Sequence, residues 1–448
     1  MLKELLKPEI KQLIENRKWM DLKDGLSDWP APEIADLLLD IDKQDRVLLF
    51  RALPRHKATD VFAYLEHDQR DALLTELTDQ ETKTLLADLS PDDRTDLLEE
   101  LPDKATRRLI NLLSPEDLKE ARELLGYPEE SIGRLLTPDF VAIRAHWTVK
   151  QALEHIRKFG KDSETIYRIY VTENGKLIDD ILLRNLILAD EDTKISDLMD
   201  YNYVGVSAYD DQEEAVRIME RYDIFALPVV DSEGKLLGIV TFDDIMDISS
   251  EETTEDFQKI SGINPVDQSY IHAGVFKLWF KRIPWLLALM FANFITAEVI
   301  SVYEEVLEVA IALSFFIPLL IGTAGNTGTQ SATLVIRSLA IEEFHTGTWL
   351  KILTKELMIG LLLGTILGVI TYLRGIWGDD GKLDLAIIIS LTMVVLVIWA
   401  NLLGVLLPLI ISKIKLDPAV ISSPLVATLI DVTGILIYFN IAIWLLNI

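Results

Sequence analysis

The sequence predicts a multidomain membrane protein: an α-helical solenoid, a tandem α/β pair, a linker helix and a five-span α-helical transmembrane domain. Three observations predict it. Charge is partitioned: the 448 residues carry a formal net charge of −28, yet from residue 271 onward 10 Lys and Arg face 12 Asp and Glu, leaving 33 against 59 in residues 1–270. The acidic part contains one short-period repeat and one duplicated segment. The remainder is apolar in runs long enough to cross a bilayer. This length fits about three domains rather than one, and a mean hydropathy of +0.24 averages two unlike halves.

The solenoid comes first, over residues 1–129. Ile41, Leu53, Leu65, Leu77, Leu89, Leu101, Leu113 and Leu125 stand at a constant spacing of 12. Several units open on a cap-like cluster, such as Ser90-Pro-Asp-Asp93 and Ser114-Pro-Glu-Asp117. Ser before Pro with an acidic first turn starts a helix. Short helices at fixed spacing stack as a solenoid. Residues 1–20 carry Lys and Glu throughout and no apolar signal core, so this part is expected to stay in the cytosol.

A duplicated α/β unit follows, at 130–198 and 199–248. Thr148–Ile156 resembles Asp211–Met219 at an offset of 63, and Ile169–Leu177 resembles Leu227–Leu236. Each copy reads as amphipathic helix, strand, Gly turn and second strand. These residues resemble a tandem pair of cystathionine-β-synthase (CBS) modules, which are commonly ligand sensors. Gly238, Thr241 and Asp244 match the adenosine-binding pattern of such modules, implying ATP as a ligand; the first-module stretch Asp180–Asn185 departs from it.

Residues 249–275 form the acidic linker helix. Glu252, Glu255 and Asp256 share one helical face at i, i+3 and i+4. Three carboxylates there repel unless a cation neutralises them; a solvated charged linker is the alternative.

The transmembrane domain occupies 276–448. Apolar runs at about 284–303, 309–336, 356–373, 385–411 and 419–447 each suit a hydrocarbon core needing roughly 20 helical residues. The second turns small and polar over Thr323–Ser331 before the apolar pattern resumes. Lys277, Lys281, Arg282, Arg337, Lys351, Lys355, Lys413 and Lys415 all fall on one side. The opposite connections hold Glu304, Glu305 and Glu308, then Arg374, Asp379, Asp380, Lys382 and Asp384. The basic side is inside, which implies a multi-pass cell-membrane protein with a cytosolic N-terminus and an extracytoplasmic C-terminus. Asp431 lies a dozen residues into the last run, with no Lys or Arg there to neutralise it. An intramembrane carboxylate is costly and marks a functional site by default; a protonated Asp bonding a neighbouring helix is the alternative. Glu298 is nearer a helix end, where snorkelling explains it equally well. Asn401 with Pro408, and Pro424 with Gly434, predict interruptions in spans four and five that turn carbonyls toward a pore.

Several function classes are excluded. There is no basic nucleic-acid footprint, and no cysteine for disulfides, thiolate zinc sites or thiol chemistry. No nucleophile–base pair or glycine-rich phosphate loop emerges, so an enzyme is not expected. Carboxylates without Cys or clustered His favour hard ions bound through oxygen, Mg²⁺ foremost.

The order of parts, with Pro318–Ser331 and Asp417–Gly434 as the most specific stretches, resembles the MgtE family of magnesium channels over essentially the whole chain. The resemblance implies a homodimer in a lipid bilayer that imports Mg²⁺, with Asp431 holding the hydrated ion and Asn326, Gln330, Asn401, Ser423 and Pro424 lining the pore. It also implies a cytosolic Mg²⁺ sensor that closes the pore, built from Asp60, Asp92, Asp93, Asp211, Glu213, Asp223, Asp244, Glu252, Glu255, Asp256 and Asp417. Thr329 and Ser423 stand where some members carry Asn, and Glu220 where a relative can have a small residue. Two alternatives remain: a broader importer of Mn²⁺ or Co²⁺, and a membrane-anchored nucleotide sensor.

Overall fold

A computed structural model describes the chain except at residues 1, 40, 66, 102, 162, 267–269, 271–272, 310, 341–348, 378–382, 415–416, 421–422 and 448. Asp379, Asp380, Lys382 and Lys415 therefore lie outside the described residues. The chain divides into two compact units, Met1–Glu251 and Glu252–Ile448.

The first unit opens with ten helices: α1 Leu2–Glu15, α2 Trp19–Ser27, α3 Ala31–Leu39, α4 Lys43–Ala52, α5 Arg55–Ala63, α6 His67–Glu76, α7 Asp79–Asp88, α8 Pro91–Glu100, α9 Asp103–Ile110 and α10 Pro115–Leu124. The period of 12 is one short helix plus its turn. Leu53, Leu65, Leu77, Leu89 and Leu101 close successive helices and are all buried, each contributing about 1.5–3 kcal/mol of burial. Caps start the helices as expected: the Ser90 and Ser114 side chains accept from the Asp93 and Asp117 amides, and Thr78 forms a capping box with Glu81. A second period of 24 appears only in the structure. Arg46 Nε donates to Leu38 O at 2.9 Å, and Arg94 Nε to Leu86 O at 3.1 Å. Arg70, midway between them, donates to Ala63 O at 2.8 Å. These guanidinium groups satisfy helix-terminal carbonyls that helices of nine or ten residues leave open.

A short α11 (Ile132–Leu135) leads into two three-stranded sheets. The first holds β1 Ala142–Ile143, β2 Arg168–Glu173 and β3 Lys176–Leu182; the second β4 Val206–Ser207, β5 Ala226–Val230 and β6 Leu236–Thr241. In each, the first pair is parallel and the second antiparallel. Helices α12 (Val149–Phe159), α13 (Leu183–Leu188) and α14 (Gln212–Tyr222) cover them. The duplication is visible at the turns, where Gly175 and Gly234 both take positive φ, 83° and 78°. The two turns pair with one another: Leu177 N donates to Gly234 O and Leu236 N to Gly175 O, both at 3.0 Å.

Helix α15 runs unbroken from Phe242 to Ile260. The expected boundary at 248/249 is a change of composition, not of conformation, because no Gly or Pro interrupts the helix there.

The second unit contains α16 Val275–Val302, the short α17 Glu304–Val309, α18 Ile317–Ala340, α19 Trp349–Ile376, α20 Leu383–Lys413 and α21 Ser423–Leu446. Among the described residues, five helical segments are long and apolar enough to span a membrane. The polar stretch Thr323–Ser331 is helical, not a loop. Two further expectations change. Helix α20 continues through Asn401 and Pro408, and Pro424 sits in the first turn of α21, where a missing N–H costs nothing. Glycines let these helices approach closely: Gly360, Gly364, Gly368 and Gly375 are all buried on α19, where it packs on α20.

Candidate functional site

Carboxylates gather in three places in the first unit and at its linker. The first joins α8 to α15. Asp92 is 8% exposed, and one of its carboxylate oxygens is buried without a hydrogen-bond partner. Burial, then Asp244 and Asp93, push the Asp92 carboxyl well above the usual range. Burial likewise raises Asp244 to about 7, against a hydrogen bond donated by the Thr241 hydroxyl at 2.6 Å, with Asp243, Asp93 and Glu164 adding repulsion. Asp93 and Glu164 are raised by the same desolvation and by their acidic neighbours, with the Ser90 hydroxyl and then Arg70 pulling Asp93 back. Sequence reasoning named Asp92, Asp93 and Asp244 but missed Asp243 and Glu164. Glu164 lies in an irregular stretch before β2 and gives no periodic signal.

The second group brackets α14. Asp211 caps it by accepting from the Glu213 amide at 3.0 Å, and Asp223 ends it in the left-handed region at φ 52°. Both are exposed, as is Glu213. Asp60 is exposed on α5, apart from the α8 carboxylates in sequence.

The third lies in the second unit, where the end of α15 meets Asp417. Lys259 Nζ pairs with Glu255 one turn back and with Asp417 Oδ2 at 2.9 Å. Burial opposes the Lys259 charge, but these two carboxylates hold its pKa above the ordinary lysine range. Asp256 is raised by burial, then by Asp417, with Lys259 and Arg337 relieving it. Glu252 shares this helix. The role of Lys259 was not legible beforehand; a Lys four residues after a Glu reads as an ordinary helix pair.

Helix α18 carries an exposed polar face. Asn326 and Gln330, at i and i+4 on α18, are exposed, although hydrocarbon offers an amide no partner. Helix α21 packs against α18 at Gly325 and Gly328, where an added Cβ would come within 3.8 Å of Ala427 and 2.2 Å of Ile430. Asp431, next to Ile430, is half-buried. Thr329 Oγ1 donates to Ser423 O at 3.4 Å, and Trp399 Nε1 to Thr433 Oγ1 at 2.9 Å, fixing α21 at both sides of the carboxylate. Pro424 is half-buried, and Asn401 is only 1% exposed, packed against α19. Among the described residues no three Asp, Glu, His or Cys side chains close into a metal cage.

In the α/β pair, Gly238 has a packing reason to be glycine: an added Cβ would lie 2.5 Å from Thr137 O. Beside Thr241 and Asp244, exposed Tyr167 meets Phe225 edge to face at 5.4 Å, and Phe225 lies tilted against Phe242 at 5.5 Å. At the matching first-module position Asp180 is held in an ion pair with Arg168.

Comparisons with known proteins accord with this arrangement. Residues 317–441 match the MgtE family model described as a divalent cation transporter, 29–130 the MgtE intracellular N domain, and 132–192 and 195–251 the CBS domain. The magnesium transporter MgtE of Thermus thermophilus is 43% identical over 329 residues, 73% of each chain; that of Enterococcus faecalis is 39% identical over 72% of this chain and 71% of its own. The structure of the cytosolic domain of the Mg²⁺ channel MgtE in complex with ATP aligns with a TM-score of 0.52 and 34% identity, covering 54% of this chain and all of that one. The soluble part of a magnesium transporter aligns with a TM-score of 0.53 and 31% identity, over 56% and 99%.

Proposed function

This chain belongs to the MgtE family of magnesium transporters, and from that premise we propose that it imports Mg²⁺ as a homodimeric channel of the cell membrane, closed by Mg²⁺ on its cytosolic side. One observation carries the conduction reading: Asn326 and Gln330 are exposed on α18, and the helix packed against it carries Asp431. Lipid cannot satisfy these groups, so they face water or a second copy. Two Asp431 carboxylates brought together by dimerisation make an acidic ring, and Mg²⁺, slow to shed water, meets it through its hydration shell. The positive-inside asymmetry supports a cytosolic first unit and an extracytoplasmic C-terminus.

Gating follows from electrostatics. Asp92, Asp93 and Asp244 in one cluster, and Glu255, Asp256 and Asp417 in another, gain from a cation that their own chain supplies only in part. Ions that bind the compact arrangement more tightly than the open one shift the population toward it. Asp211, Glu213, Asp223, Glu252 and Asp60 are further sensor candidates. ATP is a candidate ligand beside Thr241 and Asp244, since an MgtE cytosolic domain is known in complex with it and Tyr167, Phe225 and Phe242 offer a stacking surface there.

The test is Mg²⁺ flux into proteoliposomes. Asp431→Asn is expected to abolish it, and normal flux would remove the pore assignment. Mn²⁺ and Co²⁺ influx in the same vesicles decides between a selective channel and a broader importer. Joint neutralisation of Asp244, Glu255 and Asp256 is expected to weaken Mg²⁺ block.

A further inference from the structure

The membrane helices bury a carboxylate besides Asp431. Glu356, one turn before Gly360 on α19, is 9% exposed. It enters no ion pair among the described residues, and its hydrogen-bonding side-chain neighbour is the Ser331 hydroxyl of α18, 3.0 Å from Oε2. Asn401 of α20 completes the group. It is 1% exposed, its Nδ2 lies 3.5 Å from Glu356 O, and its Oδ1 is buried without a partner. The single Ser331 proton has two competing acceptors, Glu356 Oε2 and Asn401 O, the latter at 3.3 Å. At this crossing of three helices the Asn401 amide oxygen is unmet and Glu356 shares the single Ser331 proton, in a dry environment where an unmet acceptor is costly.

We propose that Glu356, Ser331 and Asn401 form a binding site for a sodium-sized monovalent cation that ties α18, α19 and α20 together. Charge selects the class of ion. One carboxylate with neutral hydroxyl and amide oxygens is balanced by a single positive charge, whereas a divalent ion leaves a net charge buried. Mg²⁺ also demands octahedral oxygens and retains waters, for which a tightly packed crossing has no room. Size selects within the class. A Cβ on Gly360 would lie 3.1 Å from Ile398 Cα and 3.4 Å from Asn401 Nδ2, and one on Gly404 would lie 3.1 Å from Ser331 Cβ. In so tight a crossing a small bare ion satisfies several oxygens at once. Ser331 follows Gln330 directly, so occupancy fixes the helix that carries the exposed polar face.

The site is set by packing and charge and does not depend on Mg²⁺ conduction. It is tested on the full chain in nanodiscs by thermal unfolding, with NaCl, KCl or N-methylglucamine chloride at constant ionic strength. Sodium is expected to raise the midpoint by several degrees, with potassium and N-methylglucamine giving little. Ser331→Ala, which keeps the carboxylate, is expected to need roughly three-fold more sodium or greater for the same shift. Glu356→Gln is expected to lose the shift. Asp431→Asn is expected to keep it, so failure of the pore reading leaves this result untouched. Equal midpoints in all three salts would overturn the proposal, as would a sodium shift unchanged in both Ser331→Ala and Glu356→Gln. So would a midpoint governed by pH and indifferent to sodium, which identifies a protonated Glu356 in place of a bound ion.

Discussion

Replacing Asp244 by Asn isolates the electrostatic cost of the α8–α15 carboxylate cluster. The free carboxylate value of 3.8 is raised to about 7 in the fold, by burial first and then by Asp243, Asp93 and Glu164. Three pH units at ~1.4 kcal/mol each give a ceiling of ~4 kcal/mol. The sign is that of a raised acid. Below about pH 4 the group is protonated whether the chain is folded or not, and its favourable linkage to folding is fully present. Between about pH 4 and 7 the unfolded chain releases the proton while the fold retains it, so stability falls as pH rises. Above about 7 the fold carries the charge and the loss is complete. Asn retains an oxygen for the Thr241 hydroxyl, bonded at 2.6 Å, and removes the titration. In EDTA, urea unfolding of a 1–251 fragment is expected to show wild type losing up to ~4 kcal/mol from about pH 4 to 8, with Asp244→Asn visibly flatter. Added Mg²⁺ is expected to restore wild type at about pH 8 and to do less for the variant. A wild-type profile flat over this interval, or a variant less stable than wild type at about pH 8 in EDTA, would refute the reasoning.

Three further outcomes follow from contacts elsewhere. Arg94 is 5% exposed in its side chain, bonds two helix-terminal carbonyls and pairs with Asp117 and Glu120; Arg94→Ala is expected to cost the first unit about 3 kcal/mol in urea unfolding, against about 1 for Arg46→Ala. Gly404→Ala places a methyl 2.4 Å from Gly328 O, a backbone atom that cannot step aside, so a loss of about 1–3 kcal/mol is expected. Its control, Gly322→Ala, meets nothing within 4 Å and is expected to leave the thermal midpoint of the detergent-purified protein unchanged or higher. Lys259→Met removes the tethered ammonium from Glu255 and Asp417, at 2.9 Å from the latter. That pair is worth about 0.5–1 kcal/mol, so Mg²⁺ block of flux is expected at two- to five-fold lower concentration.

The repeats and the spans were legible because each is a periodic burden on the sequence. A leucine every 12 residues closes a short helix, and an Asn-Gly or Glu-Gly turn recurs with the duplicated strands. Single-site features were less legible. Pro284 reads as the start of a span, yet α16 begins at Val275 and accepts the proline inside the helix. Glu356 beside Lys355 reads as the charged edge of span three; only the glycine-mediated approach of α20 buries it. Asn401 reads as an interruption of span four, whereas α20 continues and turns the amide into a buried crossing. Residues far apart in sequence meet at these points, so neither spacing nor composition announces them.

The same shortage recurs in both units. Asp92 and Asp244 lie in a cluster whose named cationic relief is Arg70 acting on Asp93. Asp256 and Asp417 share Lys259 with Glu255. Glu356 has a hydroxyl where an ion pair would ordinarily stand. A chain selected only for stability would fill such places with Arg or with apolar side chains, since a buried carboxylate left unpaired costs several kcal/mol. Leaving them short of positive charge makes the free energy of the compact state depend on the cation concentration around it. Under the proposed function that dependence is the sensor: each ion contributes only its preference for one arrangement over another, and several weak preferences acting together turn an acidic protein into a steep one.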